Sequence, residues 1–204
     1  MIEPPLEPDA RPLGLLATIR ADVRAKALWL YGADRPKEIL KASLADGTAA
    51  MVVYRLMQWS RRWRLTPLEM IFNKANCVFC RCIIGRGAEF GPHLVLVHSD
   101  GVVINGAVRG GRGVTIEHQV TIGAEGRRSP ILGDGVFLGA GSKIIGAVRI
   151  GDHARIGANA VVVADIPAYS TAVGVPARVV RRREPGAATV TPTDHPDHAP
   201  GATR

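Results

Sequence analysis

Histidines are the side chains of this sequence best suited to acid–base chemistry. A neutral imidazole accepts a proton near pH 7, which makes it the usual general base of enzymes working at that pH. Four histidines lie between residues 90 and 155, and two lie near the C-terminus: His93, His98, His118, His153, His195 and His198. The sequence therefore offers several candidate bases, and the fold has to select among them.

Three cysteines form a second candidate cluster. Cys77, Cys80 and Cys82 follow the pattern C-x-x-C-x-C. An odd number of clustered cysteines is not a disulfide framework, and no second Cys or His pair stands at zinc-finger distance. We interpret the three as reduced thiols and predict no metal site from them.

A six-residue period governs the second half of the chain. At every sixth position from Ile84 to Val162, thirteen of fourteen residues are apolar, the exception is Gly126, and the frame does not slip. Such a hexapeptide repeat is typical of a parallel β-helix, in which each aliphatic side chain points inward and neighbouring coils stack. The sequence therefore predicts a mainly β protein built as a solenoid.

The repeat also places two of the histidines. In coils of three hexapeptides, His98 is third in its hexapeptide and points outward, whereas His118 is fifth and faces inward or toward a corner. Counted from Ile84, they occupy positions 15 and 17 of successive coils. We therefore expect them to approach each other on one edge of the solenoid.

The remaining sequence divides into two flanking segments. Residues 1–80 contain apolar residues spaced by three and four, with a second helix start near Pro36, and we predict an α-helical N-terminal segment. The β-helix is expected over residues 81–180. Residues 184–204 are rich in Pro, Ala, Thr, Asp and His without periodicity, which predicts a disordered tail.

The net charge and the hydropathy of the chain limit the classes of partner that it is expected to bind. Lys and Arg total 26 against 18 Asp and Glu, a net charge of +8. Such a balance favours an anionic partner or is simply a solvated basic surface, but the basic residues are not interleaved with aromatics as in nucleic-acid binding. No apolar run approaches the roughly 20 residues of a membrane span. Residues 1–5 lack the basic start of a signal peptide, so we predict a cytoplasmic protein without a membrane span.

Several motifs together resemble the serine O-acetyltransferase branch of the hexapeptide acyltransferases. Residues 96–104, L-V-H-S-D-G-V-V-I, resemble the segment holding that family's catalytic histidine. Residues 116–123 and 139–146 resemble its following coils, and residues 166–180 resemble the ending shared across hexapeptide acyltransferases. Upstream, Gly47, Tyr54-Arg55 and Trp59 match the G…YR…W pattern of its helical domain.

The resemblance implies a fold, a reaction and an assembly. The fold is a left-handed parallel β-helix. The assembly is a homotrimer with sites between subunits, and pairing of trimers through the helical segment is left open. The reaction is direct transfer from acetyl-CoA to the hydroxyl of a small-molecule acceptor, foremost L-serine, giving O-acetylserine for cysteine biosynthesis.

The resemblance also assigns roles to residues. His98 is implied as the general base, with His118 as the rival beside Glu117. Arg128 matches an arginine that meets the substrate carboxylate, and Asp34 is a second candidate for substrate binding. Contacts with acetyl-CoA are expected from six residues: Gly123, Ala140, Gly141, Lys143, Ala158 and Arg178. Arginine suits the coenzyme's phosphates because it pairs bidentately with them.

Two departures from the family pattern keep other functions open. Val97 replaces the acid before the catalytic histidine, and Ser129 replaces a second histidine of the family. They allow an acceptor that is a sugar or polysaccharide hydroxyl, or another small amino or hydroxy metabolite. A zinc hydratase using His93, His98 and His118 and a non-catalytic scaffold are further alternatives.

Overall fold

Four helices precede the repeat region. The computed structural model describes residues 13–184, so the predicted tail lies outside the described residues except for Glu184. The helices are α1 (Leu15–Tyr31), α2 (Pro36–Leu44), α3 (Thr48–Arg62) and α4 (Thr66–Phe79). Both α2 and α4 carry proline in the first turn, where its missing N–H costs nothing. Within residues 13–184, none of the helices has the length and apolarity to cross a membrane.

Fifteen short strands follow the helices, and they form three sheets around the solenoid. The strands are β1 (Ile83–Ile84), β2 (Glu89–Phe90), β3 (Val95–Leu96), β4 (Val103–Ile104), β5 (Arg109–Gly110), β6 (Thr115–Ile116), β7 (Thr121–Gly123), β8 (Ile131–Leu132), β9 (Phe137–Leu138), β10 (Lys143–Ile145), β11 (Arg149–Ile150), β12 (Arg155–Ile156), β13 (Val161–Val162), β14 (Ser170–Val173) and β15 (Arg178–Arg182).

The sheets form the three faces of a solenoid. Face A has the order β1-β4-β7-β10-β13, face B has β2-β5-β8-β11, and face C has β3-β6-β9-β12-β14-β15. Every pairing is parallel except that of β14 with β15, which is antiparallel. The predicted parallel β-helix with a preceding α-helical segment is therefore confirmed. The domain boundaries at residues 80 and 180 stay a prediction.

The solenoid core consists of the inward aliphatic residues of the repeat. The thirteen apolar residues of the six-residue frame are all buried, whereas Gly126 is exposed on a loop. Stacking one aliphatic layer on the next removes these side chains from water along the whole solenoid. Gly126, the single exception in the apolar frame, therefore marks the place where the chain leaves the coil.

The expectation that the frame never slips is wrong. Leu96 pairs with Ile116, 20 residues later, Ile116 pairs with Leu138, 22 residues later, and Leu138 pairs with Ile156 after 18. Two extra residues lie between Leu96 and Ile104, and four lie in the loop after β7. Together these insertions make one full period, so the frame resumes after the loop.

Between the two insertions the residues of the six-residue frame are still apolar, and the structure shows why. In this stretch each frame residue lies two positions before the inward residue of its strand, and it also points into the core. These residues are Val102, Val108, Val114 and Val120. A hexapeptide thus has two inward positions, and a slip of two residues is invisible to a simple apolar count.

The helical segment docks on the first coil through the Tyr54-Arg55 pair of α3. The Arg55 guanidinium forms a buried ion pair with Asp22 of α1, with Nε 2.7 Å from Oδ2. Arg55 also donates to the carbonyls of Phe90 (2.8 Å) and Gly91 (2.7 Å). The Tyr54 hydroxyl accepts from the Phe90 N–H at 3.1 Å. Buried polar groups paired in this way fix the helices against the solenoid.

Candidate active site

The turns that join face C to face A form one edge of the solenoid, here called the C–A corner. It consists of residues 97–102, 117–120, 139–142 and 157–160, one turn per coil. His98 and His118 each lie two residues after register partners, so they are equivalent positions in successive coils. The count that made His118 the fifth residue, at coil position 17, is wrong because of the two-residue insertion after His98.

The two histidine side chains lie side by side at this corner. Their ring centroids are 5.9 Å apart and the ring planes are at 72° to each other. The side chains are 50% and 45% exposed. The predicted approach of the two rings is therefore confirmed, and His98 points outward as expected.

A carboxylate from the helical segment holds His98. Nδ1 of His98 lies 2.9 Å from Oδ2 of Asp46, in the turn between α2 and α3. The other carboxylate oxygen accepts the Gly47 N–H at 3.0 Å. The hydrogen bond with His98 lowers the pKa of the Asp46 carboxyl, and partial burial opposes this shift. Asp46 is thus charged at neutral pH, and it favours the tautomer with a proton on Nδ1 and a lone pair on Nε2.

A buried lysine lies behind this pair. Lys26 of α1 is completely buried, and its ammonium donates to the carbonyls of Asp46, Leu96 (2.7 Å) and Val97 (3.3 Å). Burial lowers the pKa of Lys26 to about 8, while the negative charges of Asp46 and Glu117 oppose the shift. One cation therefore contacts both chain segments that carry the His98–Asp46 pair.

Sequence reasoning missed Asp46 and Lys26. Asp46 lies 52 residues before His98, and no local pattern indicates which solenoid coil the α2–α3 turn contacts. The sequence gives a weak indication that Lys26 is buried, because Lys26 stands next to Ala27 and three residues after Val23 on the buried face of α1. A lysine within an apolar stripe is unusual and needs a polar partner.

Three of the six residues expected to contact acetyl-CoA lie along the same corner. Ala140 and Gly141 occupy the turn stacked on that of His118, and the Gly141 N–H donates to the His118 carbonyl at 2.9 Å. Ala158 lies in the turn one coil further. Gly141 has φ of +70°, and a Cβ there would collide with the Asn159 side chain, so glycine is required. Small side chains leave the surface of the corner open beside the histidines.

The other three expected cofactor contacts border this line. The Lys143 ammonium donates to the Gln119 carbonyl at 2.6 Å, in the His118 turn. Gly123 ends β7 and pairs with Ile145 on face A. Arg178 begins β15, and the preceding Ala177 N–H donates to the Val161 carbonyl of β13. One cationic side chain therefore lies beside the His118 turn, and a second borders the last turn of the corner.

The two expected substrate-binding residues lie elsewhere in the chain. Arg128 is exposed in a hairpin between β7 and β8, where it pairs with Glu125, at the corner between faces A and B. Asp34 lies 3.8 Å from Arg24 and lines a groove of about 860 Å³ between α1 and face C. That groove is lined by neither His98 nor His118. Within one chain, the structure does not bring either residue to His98.

Among residues 13–184, the other histidines and the cysteines form no group that could hold a metal ion. His93 and His153 line the groove beside α1, at the corner between faces B and C, separate from His98. Across residues 13–184, no three His, Cys, Asp or Glu side chains are grouped to hold a metal ion. Cys77, Cys80 and Cys82 are free thiols, and burial raises the pKa of Cys82 to about 12.

Comparisons with known proteins agree with this architecture. Residues 129–164 match the family described as bacterial transferase hexapeptide (six repeats). A serine acetyltransferase of Mycobacterium tuberculosis is 35% identical over 179 residues, covering 84% of this chain and 76% of the relative. One from Helicobacter pylori is 38% identical over 143 residues, covering 68% and 84%.

A solved structure extends the match to three dimensions. A serine acetyltransferase in complex with CoA superposes with a TM-score of 0.74 at 28% identity, covering 81% of this chain and 69% of that one. The match thus includes helical segment and solenoid together. With its hexapeptide solenoid, its docked helical segment and this identity over most of a full-length relative, the chain belongs to the serine acetyltransferase family of acyltransferases.

Proposed function

We propose that this protein transfers the acetyl group of acetyl-CoA to the hydroxyl of L-serine, with His98 as general base. The observation that carries the proposal is the 2.9 Å contact between Nδ1 of His98 and Asp46 on the open C–A corner. Its relatives named serine acetyltransferase support L-serine as the acceptor.

The geometry suits His98 to proton transfer. Because Asp46 holds Nδ1, Nε2 is the nitrogen that accepts the proton of the substrate hydroxyl; among residues 13–184 it has no hydrogen-bond partner. A serine hydroxyl is a weak nucleophile until a base takes its proton. The Asp46 carboxylate stabilises the imidazolium as it forms, and His98 then returns the proton to the departing thiolate.

The C–A corner fits a coenzyme A thioester. Bound acetyl-CoA supplies the thioester carbonyl carbon that the serine oxygen attacks. Ala140, Gly141 and Ala158 present little side-chain bulk beside His118, which gives an extended chain access to the backbone. Lys143, beside the His118 turn, and Arg178, next to the last turn of the corner, supply positive charge for phosphate groups.

We further propose that the site is completed in a homotrimer. Arg128 lies at a different corner of its own chain from His98, on an exposed hairpin. A neighbouring solenoid packed against the C–A corner can bring its own Arg128 to the substrate carboxylate. The substrate-binding role of Asp34 stays a prediction, and the position of Asp34 within one chain does not support it. The cytoplasmic location also stays a prediction. Native mass spectrometry tests the trimer and distinguishes it from a dimer of trimers.

The decisive assay follows thiol release from acetyl-CoA with L-serine, other amino acids and a panel of sugars. We expect release with L-serine, and a fall in kcat/KM of about 10²- to 10⁴-fold in His98→Ala. His118→Ala is the matched variant from the next coil, and we expect it to retain most activity. Release with a sugar alone would replace the acceptor, and equal activity in His98→Ala would overturn the mechanism.

A further inference from the structure

We propose that Lys26 is a positioning residue for the His98–Asp46 pair: its ammonium ties the α2–α3 turn to the end of β3, so that the Asp46 carboxylate meets Nδ1 of His98. The inference rests on the proposed function, since it concerns the same base. It gives a catalytic role to a side chain that lies out of reach of solvent and substrate.

The hydrogen bonds of the Lys26 ammonium go to the two segments that carry Asp46 and His98. Its three acceptors are the carbonyls of Asp46, Leu96 and Val97. The first belongs to the residue that supplies the carboxylate, and the last belongs to the residue before His98. A displacement of either segment by about 1 Å would break the 2.9 Å contact between the two side chains.

The close approach of these segments is built into the chain. Gly47 has φ of +77°, and a Cβ on it would lie 2.5 Å from the Leu96 carbonyl oxygen and 3.1 Å from the Lys26 ammonium. The turn therefore passes against β3 with no space for a side chain. Lys26 satisfies the carbonyls that this approach removes from water.

The positive charge of Lys26, like the position of its ammonium, suits the positioning of Asp46. An ammonium has three N–H donors for three carbonyls, whereas a neutral amine has two. Asp46 and Glu117 are the acidic groups facing it, and His98 and His118 lie beyond them. The positive charge thus favours the ionised Asp46 carboxylate that His98 requires.

Docking of the helices does not need this lysine. The Arg55–Asp22 pair and Tyr54 bind α1 and α3 to residues 88–94 of the first coil by their own hydrogen bonds. Lys26 acts at the other end of β3. Its loss is therefore expected to loosen the α2–α3 turn while the helical segment stays attached.

The test replaces Lys26 with Met, which has similar length and no charge. We expect kcat to fall at least about 10-fold, while KM for L-serine changes less than about 3-fold, because the base is misplaced and the substrate contacts remain. Lys41→Met, at an exposed lysine of α2, is the matched control and stays within about 2-fold of wild type. Lys26→Gln keeps an N–H donor without the charge and is measured in parallel, in case the Met variant does not fold. Retention of kcat within about 2-fold in a folded Lys26 variant overturns the inference.

Combination with Asp46→Asn separates positioning from general support. If Lys26 acts through Asp46, its replacement costs little in a protein that already carries Asp46→Asn, so the two losses are strongly non-additive. Fully additive losses overturn the inference. His98→Ala is assayed beside these variants, and full activity there would refute the proposed function instead.

The pH profile provides a readout that a scaffold residue would not move. Because the pKa of Lys26 lies at about 8, its ammonium is complete below that pH and loses a proton above it. We expect wild-type kcat to decline above about pH 8 and the Lys26→Met variant to lack this decline at its lower activity. A decline at the same pH in both proteins overturns the inference.

Discussion

The solenoid carries histidines on two of its three edges, and in the part of the chain that the structure describes, only on one of these edges does a histidine side chain meet a carboxylate of the helical segment. His93 and His153 lie at the corner between faces B and C, here the B–C corner, with φ of +67° and +56°. They occupy a left-handed turn position, which histidine adopts more readily than most residues. His153 also stacks on Tyr169, with ring centroids 5.0 Å apart. These histidines therefore serve the geometry of the turn.

At the C–A corner the left-handed positions of the two histidine turns are Gly101 and Gln119 instead, and neither His98 nor His118 occupies one. His98 lies within the turn, projects into solvent and meets Asp46, which belongs to the helical segment and not to the solenoid. The repeat thus supplies equivalent outward positions, and within residues 13–184 the helical segment provides a carboxylate partner to only one of these two histidines, which is the one we propose as the base. The difference between the corners lies in the partner rather than in the histidine.

Removing the charge of Asp46 should have the largest effect on the difference between the two corners. Asp46→Asn keeps the size of the side chain but removes the charge that stabilises the imidazolium, and we expect kcat to fall about 100-fold. Asp34→Asn is the matched control, because Asp34 pairs with Arg24 in the groove beside the B–C corner. We expect it to stay within about 2-fold of wild type. Steady-state kinetics of both variants decide the matter, and equal losses would assign Asp34 to the site.

Displacing the partner should have a smaller effect on activity and a measurable one on stability. Gly47→Ala and Gly126→Ala both place a Cβ at positive φ, +77° and +61°. Only Gly47 faces a collision, at 2.5 Å from the Leu96 oxygen, whereas nothing lies within 4 Å at Gly126. We expect Gly47→Ala to lower the free energy of unfolding by about 2 kcal/mol more than Gly126→Ala, with about a 10-fold loss in kcat.

Urea denaturation and the acetyl-CoA assay measure the two effects on the same preparations. Equal destabilisation in the two variants would show that the α2–α3 turn does not press on β3. Asp46 would then reach His98 from a loosely held turn, and the close approach of that turn to β3 would not explain the contact between the two side chains.

Much of this fold follows from the sequence, because a solenoid repeats its own pattern. Each coil must bury an aliphatic side chain at the same place, so a single chain displays the fold many times. The same redundancy hid the two insertions, since a two-residue slip moved the frame from one inward position to the other. Only the register of β3 with β6 shows that His98 and His118 are equivalent.

The site was predictable only in part. His98 and the small residues of the C–A corner are proposed because the motifs that contain them resemble those of a known family, and the structure places these residues along one corner. Asp46 and Lys26 depend on where a separate helical segment docks, and that is fixed by tertiary contacts such as the Arg55–Asp22 pair. Arg128 lies at another corner of its own chain, so a single chain leaves its contact with substrate a prediction.

Substitutions of the two histidines at the B–C corner should have the smallest effects on stability and activity. Asparagine tolerates the left-handed region, so His93→Asn and His153→Asn should change the free energy of unfolding by less than about 1 kcal/mol and leave kcat within about 2-fold. His153→Val, with a branched Cβ at the same φ, should cost about 1–2 kcal/mol more than His153→Asn. Thermal unfolding and the thiol-release assay check both expectations. If the Asn variants instead lose activity about 10-fold while remaining folded, the B–C corner takes part in the chemistry, and the partner from the helical segment no longer explains why one edge is active and the other is not.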